Sequence, residues 1–410
     1  MPTGRRQLAY GGSQVPPWTL RRLPIDTDSR DKLGDLAASS GLRRIHLLAW
    51  RDLYDVEAGG SEVHAAEVAR LWSQAGIEVT MRTSYAQGHP PEGVRDGYRV
   101  IRRAGRYLVF PRAALAEAPG RHGPRDGLVE IWNGMPFLSP IWCRGPRVAW
   151  LHHVHGEMWK MVLPPNLAGV GELIESRIAP PIYHRTRVVT LSESSKQEMI
   201  DKLGFRAQRV DVVPPGIDPR FQPGGKRSPE PQVVAVGRLV PVKHFDVLIR
   251  TMQEVRRHVP DAGLTVVGEG FEREDLDALV RDLDAESWVD FVGRVDDDGL
   301  VDLYRRAWVV ASASSHEGWG MTLTEAAACG TPAVATRISG HVDAVEDGVG
   351  GLLADDEREL AAHLVSVLTD ADLRARLGEG ARGRAATLTW GATALRTLRV
   401  LADQARRRRI

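Results

Sequence analysis

The chain has 410 residues, 43% hydrophobic and 26% charged, with a formal net charge of +1. That length exceeds one small core and suits two domains, and the balanced charge excludes the global field that gathers nucleic acid. Two cysteines, Cys143 and Cys329, form neither a disulfide framework nor a metal-ligand spacing, and no apolar run is long enough to span a bilayer.

In chain order, residues 1–42 read as an N-terminal extension. They are rich in Gly, Pro, Ser and Arg and lack a convincing period. Strand-like apolar runs then alternate with helical periods, which predicts α/β layers with parallel sheets. In the first half, strands are expected at 44–49, 77–83, 128–132, 147–151, 187–190 and 210–213. Helices fit 62–74, 173–184 (kinked or broken at Pro180 and Pro181) and 194–202. The Pro/Gly-rich stretch 218–232 reads as a linker. The alternation restarts with strands at 233–236, 264–267, 288–292, 309–311 and 333–335. Helices fit 245–258, 272–283, 299–306, 322–329, 358–368 and 371–386. A last helix from Trp390 repeats apolar residues at Leu395, Leu398, Leu401 and Ala402, and so buries one face. The expected domains are 43–222 and 231–389, with a cleft between them as the ligand site. With no signal peptide and no disulfide framework, the cytosol is the expected compartment.

The segment 314–332 carries the sharpest chemistry. Glu317 and Glu325 flank a Gly-Trp-Gly turn and the start of a helical run. A helix opening near Met321 offers the N–H groups of Gly320, Met321 and Thr322, together with its positive dipole end, to a phosphate. Glu325 falls about one turn inside and Glu317 stays on the loop, so a carboxylate can hold sugar hydroxyls while phosphates dock between the two. Arg238 and Lys243 lie five residues apart on the loop after the strand at Val233, where such loops open into a ligand crevice, and can neutralise a diphosphate. Ala58-Gly-Gly-Ser-Glu62 opens a helix after the first strand. Gly59 and Gly60 allow close backbone approach, and Ser61 can cap. His152, His153 and His155 follow the strand 147–151 without the spacing of a helical metal pair. Asp296-Asp-Asp298 precedes a helical period and reads as an N-cap. No metal site is expected.

Glu-Gly-Trp-Gly, Glu-Ala-x-Ala-Cys-Gly-Thr-Pro and Gly-Arg-Leu-x-x-x-Lys together closely resemble the retaining glycosyltransferases of family 4. Ser192-Glu-Ser194 and Val213-Pro-Pro-Gly-Ile-Asp218 fit the same pattern, the latter with Pro215 where the family has Asn. The resemblance extends from about Arg44 to Trp390. It implies the GT-B fold, two Rossmann-like α/β domains facing across a cleft, with the last helix returning to the first domain.

It also implies residue roles. Arg238 and Lys243 bind the donor's phosphates and stabilise the leaving nucleotide. Gly59 and Gly60 face the phosphates and the acceptor. Gly268 and Arg294 flank the base, while Gly320, Met321 and Thr322 hold phosphate. Glu317 orients sugar hydroxyls and Glu325 the ribose. His152 fits the register of the family's histidine beside the transferred sugar, with His153 and His155 as alternatives. The implied reaction is retaining, metal-independent and free of cofactor. A hexosyl unit passes from a nucleoside-diphosphate sugar to a hydroxyl acceptor (glycan, glycolipid or small metabolite) in cell-envelope or polysaccharide biosynthesis.

The alternative from another class is a catalytically silent nucleotide-sugar-binding protein of the same fold. The end Arg406-Arg-Arg-Arg-Ile410 is first a solvated tail. Its functional alternative is attraction to anionic headgroups, worth about 1 kcal/mol per basic residue. With Trp142, Trp150 and Trp159 it allows a lipid-linked or polysaccharide acceptor at the inner membrane face.

Overall fold

Short runs of Val, Ile, Leu and Ala, buried on both faces, assemble into two largely parallel sheets, as continuous apolar strands between helices should. The computed structural model describes residues 25–407 except Glu157 and Leu163. The first sheet contains β1 (Arg44–Leu48), β2 (Glu78–Thr83), β3 (Glu92–Arg95), β4 (Tyr98–Arg102), β5 (Gly127–Trp132), β6 (Arg147–Leu151), β7 (Arg187–Thr190) and β8 (Val210–Val212). Its order is β3-β4-β2-β1-β5-β6-β7-β8. The second contains β9 (Gln232–Val236), β10 (Gly263–Val267), β11 (Val289–Gly293), β12 (Val309–Ser312), β13 (Ala333–Thr336) and β14 (Gly351–Ala354), in the order β11-β10-β9-β12-β13-β14. Every pairing is parallel except the β3–β4 hairpin. That hairpin closes through Asp96 and Gly97, both at positive φ (47° and 90°), the geometry that suits a two-residue turn to twisted strands.

The α/β architecture and the GT-B arrangement stand as expected from the sequence. The strand order reverses direction at β1/β5 and again at β9/β12, and in open α/β sheets ligands bind at such switch points.

Three expectations are corrected. Within the supposed extension, Thr27–Ser40 forms a helix capped by Asp26, whose side chain accepts the Ser29 N–H, and stopped by Gly41 at φ 73°. It buries Leu33 and Ala37 in the first core beside the last helix, so tertiary packing supplies what a weak period does not. Residues 1–24 lie outside the described residues. The helix expected at 173–184 begins earlier, at Pro165. It widens to a π turn at Ile174–Ile178 and continues through Ala179–Tyr183. The π turn falls where Pro180 and Pro181 remove backbone donors, and helical structure continues through them, so the helix is not broken. Finally, two of the three tryptophans, Trp150 and Trp159, are buried and not offered to an acceptor. Trp150 is fully buried, and the Trp159 indole donates to Glu175 from a buried position. Trp142 is part-buried and donates to the Phe137 carbonyl.

The last helix, Trp390–Arg407, leaves the second domain and buries Ala394, Leu398, Leu401 and Ala402 in the first core. Its crossing runs beside the other interdomain strand. Ile217 donates its N–H to the Leu388 carbonyl, and Thr393 Oγ1 donates to the Pro214 carbonyl at 2.8 Å. Gly216 faces the Trp390 backbone so closely that a Cβ there would collide with it. The linker is laid against the second domain. Trp308 donates to the Ser228 carbonyl and Arg305 to that of Gln222, both at 2.8 Å. Of the basic tail, Arg406 and Arg407 belong to the last helix and residues 408–410 lie outside the described residues.

Candidate active site

The loops after β1, β6, β9, β10, β11 and β12 meet in one cleft. Contacts across it are tight because glycine lines both sides. A Cβ on Gly60 would lie 2.8 Å from Met321 Sδ, and one on Gly59 3.9 Å from Arg238 Nε. On Gly318 it would lie 2.8 Å from the His152 carbonyl. Gly59 precedes the helix Gly60–Gln74 and donates its N–H to Glu62 Oε2 at 2.8 Å. The expected cap by Ser61 is therefore replaced: the Glu62 carboxylate satisfies the turn, because the helix starts at Gly60, two residues too early for Ser61 to precede it.

In the second domain, loops lock by backbone contact. Gly268 sits at φ 136° with its Cα pressed on the Gly237 carbonyl, a place with no room for a side chain. This anchors the loop that carries Arg238 and Lys243. Arg238 is exposed to the cleft, and Lys243 ends a short 3-10 turn, Pro241–Lys243. Gly320 takes φ 102° and starts the helix Met321–Ala328, so Met321 and Thr322 form its first turn and Glu325 lies one turn in. Arg294 reaches across the cleft and donates to the Val56 carbonyl, with Glu269 3.8 Å from its Nε.

The two glutamates differ sharply. Glu317 pairs with the Lys243 ammonium and accepts from Ser314 Oγ at 3.0 Å. Burial opposes its charge, but Lys243, the His341 imidazole and these hydrogen bonds outweigh that, so its carboxyl stays below the ordinary range. Glu325 has only the Tyr304 hydroxyl, 3.3 Å away, and burial pushes its pKa up to about 8. Asp218 and Asp297 add to that rise.

The histidines separate into two groups. His152 turns into the first domain, with Nε2 3.1 Å from His64 Nδ1, and burial lowers its pKa to about 4. His64 lies against Trp150 and Trp390. His153 and His155 stack at 4.6 Å, and His153 meets His316 of the second domain edge-on at 5.4 Å. Burial and the neighbouring imidazoles hold His153 well below its ordinary range. Among the described residues no group of three or more His, Cys, Asp or Glu is arranged to hold a metal ion. Asp296 acts as a helix cap, accepting the Gly299 N–H at 2.8 Å.

All twelve residues singled out in the sequence (His152, Arg238, Lys243, Gly59, Gly60, Gly268, Arg294, Glu317, Gly320, Met321, Thr322 and Glu325) lie on the loops or helix starts around this cleft. Three others were missed: His64, Tyr304 and His341, which reach the site from helices and turns whose local sequence gives no sign of it; Ser314, at the head of the segment 314–332, was read as part of that segment but given no role of its own.

Residues 58–221 match the family described as Glycosyltransferase Family 4, and residues 217–384 match Glycosyl transferases group 1. A relative described as D-inositol 3-phosphate glycosyltransferase, from Kineococcus radiotolerans, is 31% identical over 404 residues, covering 84% of this chain and 90% of its own. This chain is a family 4 glycosyltransferase. The two matches meet in the linker region, one on each sheet.

Solved structures share the fold of this glycosyltransferase. Sucrose-phosphate synthase from Thermosynechococcus elongatus superposes with a TM-score of 0.76 at 22% identity, covering 87% of this chain and 97% of that one. Anabaena HepE, solved in complex with UDP-glucose, superposes with a TM-score of 0.68 at 20% identity, covering 87% and 98%. Among the described residues no helix is long and apolar enough to cross a membrane.

Proposed function

We propose that this glycosyltransferase moves a hexosyl unit from a nucleoside-diphosphate sugar to a hydroxyl acceptor, with retention at the anomeric carbon and without a metal ion or other cofactor. The observation that carries this reading is the convergence in one cleft of Arg238, Lys243 and the first turn of Met321–Ala328. Glu317 stands on the loop before that turn and Glu325 within the helix.

The costly event is cleavage of the anomeric C–O bond, which leaves an oxocarbenium-like sugar and a charged diphosphate. Arg238, Lys243 and the N–H groups of Gly320, Met321 and Thr322 are aimed where that charge develops, in a partly dry site where fixed donors need no reorganisation. Binding of the diphosphate would draw Lys243 from Glu317 and free that carboxylate for sugar hydroxyls. Glu325, which keeps its proton to about pH 8, has both a donor and an acceptor oxygen for the ribose. The acceptor's proton passes to the departing phosphate on the same face, consistent with retention. His152 has a low pKa and is held by His64, so it positions the sugar as a neutral imidazole. Gly268 and the backbone at Arg294 flank the base, and Gly59 and Gly60 close over the phosphates.

We place the reaction in the cytoplasm and the acceptor among glycans, glycolipids or small metabolites of cell-envelope or polysaccharide synthesis. The relative named for D-inositol 3-phosphate makes that polyol phosphate the first acceptor to try. The test is thermal shift and turnover against UDP-, GDP- and ADP-sugars, with and without chelator, reading the product anomer by NMR. One donor should stabilise the fold and transfer with retention in chelator. An inverted product, or activity restored only by magnesium, would overturn the proposal.

A further inference from the structure

Outside the donor loops, the second domain reaches across the cleft and caps a first-domain helix. The helix Glu193–Leu203 has Ser192 as its N-cap, whose hydroxyl accepts the Ser195 N–H. The two preceding N–H groups are satisfied from the other domain. Asp343 Oδ1 accepts from the Glu193 N–H at 2.9 Å, and Oδ2 accepts from the Ser194 N–H at 3.2 Å and from the Ser194 hydroxyl. Ser194 Oγ in turn accepts the Gly340 N–H at 2.8 Å. A carboxylate on the orphan donors at a helix start is a favourable, charge-assisted contact, and it exists only while the two domains are together.

The same turn touches the catalytic loop. Gly340, at φ 84°, lies so close to the backbone that an added Cβ would stand 2.6 Å from the Glu317 carbonyl and 2.7 Å from the Trp319 nitrogen. His341, the next residue, has Nδ1 2.9 Å from the Thr336 carbonyl oxygen, and a Cβ on Gly320 would lie 3.1 Å from its ring. From the first domain, Ser195 Oγ donates to the Gly318 carbonyl at 3.5 Å. The Glu317–Trp319 loop is thus gripped between the Asp343 turn, the helix start at Ser194 and Ser195, and the strand exit at His152.

We infer that Asp343 and Ser194 form an interdomain clasp whose closing sets the position of Glu317, which makes both of them positioning residues for transfer. This rests on the reading of Glu317 as the group that orients the sugar. When the domains part, the helix start loses its carboxylate, and the turn that buttresses the Glu317 loop loses its first-domain anchor. The clasp therefore couples closure to assembly of the site while leaving untouched the second-domain loops after β9, β10 and β12, which carry Arg238, Lys243, Gly268 and the helix start at Gly320.

The experiment compares wild type with Asp343→Ala, Ser194→Ala and, as a control, Glu317→Ala in the full chain. Three quantities are read: kcat for transfer, Kd for whichever of UDP, GDP and ADP binds wild type, and radius of gyration by small-angle scattering with that nucleotide. Asp343→Ala should lower kcat at least tenfold, leave nucleotide Kd within twofold and give a larger radius than wild type. Ser194→Ala should shift each in the same direction by less. Wild-type kcat in either folded variant overturns the clasp, as does a loss of nucleotide affinity equal to the loss of kcat. If Asp343→Ala does not fold, the Ser194→Ala result decides alone. An inactive Glu317→Ala beside a fully active Asp343→Ala sinks the clasp without touching the transferase reading, whereas a fully active Glu317→Ala sinks the reading on which it rests.

Discussion

Glu317 and Glu325 are the same side chain on the same cleft, and their neighbours give them opposite behaviour. Lys243 holds Glu317 ionised, so that group's contribution to stability is present above the unfolded carboxyl pKa and is lost as pH falls through its lower folded value. Glu325, at about 8, runs the other way. Between roughly pH 4.3, the ordinary carboxyl value, and 8 the folded chain binds more protons at this site than the unfolded chain, so stability falls as pH rises. Glu325→Gln should therefore raise Tm, by more at pH 8 than at pH 5; an equal gain at both in thermal melts would contradict the assigned environment. The same position should matter for transfer. Glu325→Ala is expected to reduce turnover roughly 100-fold through misplacement of the donor, and near-normal turnover by a folded variant would count against a ribose role.

At the scale of elements, the site depends on backbone contacts more than on any one side chain. Gly268 seats the strand exit carrying it on the carbonyl of Gly237, next to Arg238. Gly268→Ala must adopt φ 136° and displace that carbonyl, with an expected cost of about 2–4 kcal/mol in denaturant melts and at least a tenfold loss of nucleotide affinity, roughly 1.4 kcal/mol. Unchanged affinity in a folded variant would mean that the two loops are not coupled. Asp296 offers a contrasting test. As a cap, Asp296→Ala should cost about 1 kcal/mol and Asp296→Ser almost nothing, with no change in chelator sensitivity. If serine proves as damaging as alanine, the carboxylate does more than cap.

At the scale of the whole molecule, the two connections between domains run side by side through Ile217 and Leu388, and the last helix closes the first core. Leu398 is fully buried there. Leu398→Ala should lower stability by about 2–5 kcal/mol although it lies about 350 positions along the chain from the first strand, Arg44–Leu48, whose core it shares, because deleting a core side chain leaves a cavity. A loss under about 0.5 kcal/mol in chemical denaturation, the scale of a surface substitution, would show that the helix is only loosely docked.

Fold class and most element positions were legible in the chain because apolar runs of strand length alternate with helical periods, a purely local pattern. The motif residues of the cleft were legible through the resemblance to family 4, carried by Gly, Arg, Lys and Glu at fixed offsets on the loops after strands. The hairpin around Asp96 and Gly97 carried a readable Asp-Gly turn, yet its two short strands did not stand out from the surrounding loops. The helix Thr27–Ser40 had a good cap at Asp26 and a good stop at Gly41 but only a thin apolar stripe, and it is secured by packing on a helix from the far end of the chain. Local pattern alone thus determined two α/β halves and the donors and carboxylates facing a cleft. Tertiary structure decided which glutamate keeps its proton, that His152 leans on His64, and that Asp343 caps Ser194 across the cleft. Each of these depends on residues 74 to 150 positions apart, or on burial, and neither sequence spacing nor composition carries that information.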